Sequence, residues 1–128
     1  MEPVAIVTAL ALIQYFWFGY HVSVTRVRHG IKAPAVSGHP EFDRSFRVHQ
    51  NTLELLMVFL PALWLFGWYV HALSGALVGL LFIAGRFVYR KGYLDDPSSR
   101  RPGSILSVVA VGVLMSGGLI GAVLSWID

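Results

Sequence analysis

The chain is 128 residues long, room for a single domain, with 55% hydrophobic and only 13% charged residues, well below the roughly 25% charge of a soluble domain. The formal net charge is +3, but the basic residues flank apolar blocks and form no soluble basic face, which excludes nucleic acid as the partner and leaves anionic lipid headgroups or a small acidic ligand. Cysteine is absent, which excludes a disulfide framework, a thiolate metal site and a cysteine nucleophile, so any thiol chemistry must use a thiol that the substrate brings.

A bilayer core needs about 20 helical residues to cross it. The first candidate span is residues 3–25, which carry no charge. No basic segment precedes it and it is too long for a signal-peptide core, so it is predicted to be a retained span. A long first loop, Arg26 to Phe46, leads to a second span over 47–70. A tiny link around His71 to Ser74 joins it to a third span over 72–89, making an antiparallel hairpin. Arg90 to Gly103 form the last loop, and the fourth span covers 104–127. The predicted fold class is all-α, one four-helix transmembrane bundle over residues 1–128. Of the ten Lys and Arg residues, five lie in or beside the first loop and five in or beside the third, with none in the second or at the termini. The positive-inside rule therefore places the first and third loops in the cytoplasm and both termini outside. Trp68, Tyr69 and Trp126 sit where outer interface anchors are expected. A bacterial inner membrane or a eukaryotic endomembrane both fit.

Polar residues inside the spans are costly and point to function. Arg47, Asn51 and Glu54 are spaced by four and three residues and so share one face of the second helix. The third helix offers Arg86, Tyr89 or Arg90, and Tyr93 at matching spacing. Arg86 is the expected counter-ion of Glu54, and the two stripes would frame an arginine-rich pocket near the cytoplasmic surface. Guanidiniums suit a ligand with more than one carboxylate, and an acid such as Glu54 suits an ammonium group on that ligand. A small zwitterionic peptide meets both demands, and the apolar faces alongside would admit a lipid-soluble second substrate. His21 and His29 show no metal-ligand spacing with a carboxylate, His71 reads as a loop residue, and no metal is expected. Ser104, Ser107 and Ser116, with Gly112, Gly117, Gly118 and Gly121, read as close helix packing in the fourth span. Nothing supports a Ser/His/Asp triad.

The run from Pro40 to Glu54, PEFDRSFRVHQNTLE, resembles the central signature of the MAPEG family of membrane proteins, which includes microsomal glutathione transferases and leukotriene C synthase. Ala33 to Gly38 resembles the family's first loop. Arg86, Tyr89, Gly92 and Tyr93 match its third-helix pattern, and Arg100 to Gly103 the motif that opens its fourth helix. The resemblance implies a homotrimer, with glutathione as co-substrate bound between protomers near the cytoplasmic face. It places Arg26, Arg47, Asn51, Glu54, Arg86, Tyr89 and Tyr93 at glutathione-contacting positions and His49 beside that site. Arg100 is placed to stabilise the glutathione thiolate, with Arg101 the alternative one residue on. The implied function is a membrane glutathione transferase acting on lipophilic electrophiles, and glutathione peroxidase activity on lipid hydroperoxides is compatible with it. The alternative is a non-catalytic scaffold that binds a lipid or a partner. A small exporter would favour an isolated glutamate rather than one crowded by arginines. Three positions depart from the family pattern: Leu55 replaces an aromatic residue, Val27 replaces the second arginine of the leukotriene-forming enzyme, and Met57 replaces a proline while Pro61 appears one turn later.

Overall fold

A computed structural model describes all 128 residues. Four α-helices carry the fold: α1 (Glu2–Arg28), α2 (Pro40–Tyr69), α3 (Ala72–Asp95) and α4 (Arg101–Ile127), with a 3₁₀ turn (Pro97–Arg100) leading into α4. All four are long and apolar enough to cross a membrane.

The helices run beyond the apolar stretches, and local chemistry sets where each stops. α1 continues through Arg28 and ends at Gly30, whose φ of 63° is open to glycine. There the Ile31 amide donates to the Arg26 carbonyl and the Gly30 amide to the Val27 carbonyl, which satisfies the last carbonyls of the helix. α2 begins at Pro40, well before the apolar residues. His39 caps it by accepting the Glu41 amide on Nδ1 at 3.1 Å, and proline at the first helical position has no amide to leave unpaired. The first loop is therefore only residues 29–39 long. The second link shrinks to Val70 and His71, and the His71 Nδ1 caps α3 by accepting the Ser74 amide. α2 runs unbroken through Pro61.

α2 and α3 form the central pair. Each packs on the other three helices, while α1 and α4 flank them and barely meet. The core sits where the four helices converge, around the stacked rings of Phe59 and Phe82, 3.9 Å apart at 8°, with Val4, Val7, Leu63 and Leu114. Outward faces remain apolar, as at Ile13, Phe16, Leu119 and Ile120, the surface expected of a helix bundle in lipid. The closest approach is between α3 and α4, where a Cβ on Gly103 would lie 2.2 Å from the Tyr89 backbone nitrogen. Only glycine admits that crossing. Gly117, Gly118 and Gly121 likewise abut Phe66, Leu65 and Tyr69, whereas Gly112 faces open space and packs against nothing.

The first and third connections lie at the same end of the bundle. Arg44, at the start of α2, donates from Nη1 to the Leu94 carbonyl at the end of α3, at 3.1 Å. The basic residues thus gather at one end of the bundle.

Candidate functional site

Arg86 is the largest side chain fully enclosed by the protein. It sits on α3 with its Nη1 donating to the Asn51 Oδ1 of α2 at 3.0 Å, and its guanidinium carbon lies 4.1 Å from the centre of the Tyr89 ring. Its Nε and Nη2 are buried without a hydrogen bond inside the chain. A buried cation with two unspent donors is expensive unless an anion meets it. Tyr89 stacks loosely on Tyr93, 5.6 Å away, and is within electrostatic reach of Arg47 and Arg100 as well as Arg86. The structure therefore gathers Arg47, Asn51, Arg86, Tyr89, Tyr93 and Arg100 around one junction of α2, α3 and the turn before α4.

The expected ion pair between Glu54 and Arg86 does not form. Asn51 takes that place, because Glu54 lies three residues further along α2, rotated about 60° from Asn51, and is exposed on the outer face of the chain. Arg47 is exposed too. His49 also stands away from this junction. Two residues from Arg47 and from Asn51 is more than half a helical turn, and the ring stacks on Tyr15 of α1 at 4.3 Å against Gly19. Arg26 is engaged in the first loop, donating to the Ala35 carbonyl at 2.8 Å with its guanidinium over the Phe42 ring. Arg100 is exposed and donates to the Pro97 carbonyl of its own turn at 2.7 Å. Asp96 caps that turn by accepting from the Ser98 hydroxyl and amide, which holds its carboxyl below its ordinary value of 3.8.

Three features escaped the sequence pattern. Gln14 is buried in mid-span of α1, donating to the Ile83 carbonyl at 2.9 Å with its own oxygen unpartnered; a lone amide in an uncharged span was its only signal. Arg28, Arg44 and Arg90 converge with His21 on one cavity between α1, α2 and α3, although their spacing in sequence suggests only flanking charge. Finally, His29, His39 and Glu41 come together with ligating atoms within 4.8 Å of one another, a grouping that residue spacing did not reveal. The two imidazoles stack face to face at 3.5 Å and 10°, and Glu41 is engaged by Arg28 and by His29 Nε2 at 2.9 Å. Parallel rings do not converge their lone pairs on one point, so this trio acts as a clasp that closes the first loop over the start of α2.

Fold and site define a multi-pass integral membrane protein with a buried basic junction near one membrane surface. The chain matches the MAPEG family model over residues 4–120, and it belongs to that family. It is 35% identical over 124 residues to microsomal glutathione S-transferase 2 of Homo sapiens, an alignment covering 97% of this chain and 84% of that protein. The Mus musculus microsomal glutathione S-transferase 2 is 40% identical over 104 residues, covering 81% of this chain and 71% of its own. Leukotriene C4 synthase of Rattus norvegicus is 32% identical, covering 97% of this chain and 91% of its own.

Proposed function

We propose that the protein is a membrane-bound glutathione transferase, and the observation that carries the reading is the buried Arg86, whose Nε and Nη2 face no acceptor in its own chain. Glutathione has two carboxylates, an ammonium group and a thiol. Arg86, with Arg47 and Arg26, supplies guanidiniums for the carboxylates, and Asn51, Tyr89 and Tyr93 supply neutral hydrogen bonds. Glu54 receives the ammonium. Arg100 stabilises the thiolate: a free thiol ionises near 8.5, and an adjacent guanidinium lowers that value, so the nucleophile exists at neutral pH. The thiolate then attacks the electrophilic carbon of a substrate dissolved in the membrane, forming the thioether as the leaving group departs. With a lipid hydroperoxide it attacks the terminal oxygen, the O–O bond breaks to release the lipid alcohol, and a second glutathione converts the resulting sulfenic acid to glutathione disulfide and water.

Exposed Arg47 and Glu54 at membrane depth would be costly against lipid. In our reading they face a second copy of the chain in a homotrimer. His49 and Arg26, which stand away from the junction in their own chain, then approach the neighbouring protomer's site. The basic end is cytoplasmic by the positive-inside rule. Relatives named as glutathione transferases and as leukotriene C4 synthase support this chemistry.

The test is a calorimetric titration with glutathione of the detergent-purified protein, followed by a conjugation assay with a generic aryl halide. Binding with turnover is expected. Binding without turnover would leave a non-catalytic member of the family, and absence of binding at millimolar glutathione would remove the function. Arg100→Ala is expected to abolish the thiolate absorbance while glutathione affinity changes little; equal loss of both would overturn its role.

A further inference from the structure

A second basic site lies between α1, α2 and α3, and none of its charged residues belongs to the set around Arg86. Three guanidiniums, of Arg28, Arg44 and Arg90, line a cavity of about 260 Å³ together with His21 and Ser45. Its one carboxylate is Glu41, already engaged by Arg28 and His29. The cavity therefore has surplus positive charge and is built for an anion. Arg90 is held in place by lying over the Trp17 ring, 4.7 Å from its centre, and Trp17 also meets His21 edge-on at 4.2 Å.

On the other side of Trp17 the surroundings change completely. Trp17 and Phe87 form the near end of an apolar groove of about 390 Å³ that runs along α1 and α3 past Leu10, Ile13 and Ile83. From Leu10 to His21 the distance along the helix is roughly 16 Å, close to half of the roughly 30 Å hydrocarbon core. Trp17 stands between the charged cavity and the apolar groove and touches the residues of both, so that the two together extend about one leaflet, with the charge at the headgroup end. That continuity, with the charge, selects one kind of occupant.

We propose that this face binds one anionic phospholipid, its phosphate held by Arg28, Arg44 and Arg90 and an acyl chain laid in the groove. Guanidiniums match phosphate oxygens in geometry and charge. A soluble anion would use the cavity and leave the groove unfilled, whereas a zwitterionic lipid would bring, beside its phosphate, a quaternary ammonium that the surplus positive charge of the cavity repels. The site is independent of the glutathione reading.

Native mass spectrometry of the full chain in delipidated micelles tests it, titrating phosphatidylglycerol against phosphatidylcholine with the same acyl chains. Phosphatidylglycerol is expected to bind at least about fivefold more tightly, the effect of one basic residue near a membrane surface. Arg90→Gln should erase most of that preference. Arg28→Gln, at an exposed residue, should do the same, since it removes one guanidinium and leaves Glu41, still held by His29, with less of its charge compensated. Arg101→Gln, at the same end of the bundle but outside the cavity, should leave the preference unchanged. Equal binding of the two lipids, a preference that survives both cavity substitutions, or one weakened as much by Arg101→Gln would overturn the proposal. So would displacement of the lipid by an equal concentration of glycerol phosphate, because the groove would then contribute nothing.

Discussion

Arg86 and Asn51 are one unit, and their energetics separate stability from binding. A hydrogen bond to a charged group contributes about 1.5–3 kcal/mol, and removing one buried partner strands the other. Asn51→Leu is therefore expected to destabilise the protein by about that amount in a detergent thermal melt, because the guanidinium loses its one intrachain acceptor. The double variant Asn51→Leu/Arg86→Met removes both polar groups, and replacing buried charge with apolar packing is often neutral or stabilising. Its melting temperature should return to the parent's or exceed it. Glutathione affinity should nevertheless fall at least about tenfold in the double variant, the equivalent of one lost charge-assisted contact. A double variant that melts low, like Asn51→Leu alone, would mean that Arg86 is a structural residue rather than a ligand. The sequence pattern set Asn51 and Arg86 on facing stripes here but paired Arg86 with Glu54 instead. Helical spacing places Arg47, Asn51 and Glu54 on one broad face, yet only the rotation of α2 against α3 decides which of them meets Arg86, and that rotation is set by packing around Phe59 and Phe82.

Among the elements, the crossing of α3 and α4 sets the position of the turn that presents Arg100. Gly103→Ala would push a methyl group into the backbone at Tyr89, and overpacking of this kind costs about 1–3 kcal/mol. Gly112→Ala meets nothing and should be neutral or stabilise by about 0.5–1 kcal/mol, as alanine does in a helix interior. In thermal melts Gly103→Ala should therefore fall below the parent while Gly112→Ala holds or rises. The turn itself depends on the Asp96 cap. Because the folded carboxyl is held below 3.8, the cap contributes fully above that value and is lost as pH falls through the lower folded one. Protection of the Ser98 amide from hydrogen exchange, relative to its intrinsic rate at each pH, should hold down to 3.8 and fall only as pH drops through the lower folded value, while Asp96→Asn should show no such step. The four helices themselves were legible from apolar block length alone. Their ends were not, because hydropathy reports what can sit in lipid, whereas a helix stops where its backbone hydrogen bonds find other partners. Gly30, His39 and Pro40 shortened the first loop by that route.

For the molecule as a whole, the ten basic residues serve more than one purpose. Orientation needs only that they lie on one side, and a random scatter over the two loops would satisfy it. The fold instead sorts them: Arg47, Arg86 and Arg100 gather about Tyr89, Arg28, Arg44 and Arg90 about a separate cavity, and Arg26 holds the first loop. The family resemblance already set Arg26, Arg47, Arg86 and Arg100 apart from the flanking basic residues, but the convergence of Arg28, Arg44 and Arg90 on one cavity was invisible in the sequence, because they come from three different helices. The sorting makes sidedness the property on which both proposed sites depend, because a ligand made in the cytoplasm must reach the basic end. The absence of cysteine allows a direct measurement with single-cysteine reporters and a membrane-impermeant maleimide in intact cells. Leu73→Cys, exposed near the start of α3, should be labelled without permeabilisation. Val36→Cys in the first loop and Ser99→Cys before α4, both exposed, should be labelled only once the membrane is opened. The reverse pattern would place the basic end outside, where neither cytoplasmic glutathione nor the anionic inner leaflet could reach its arginines.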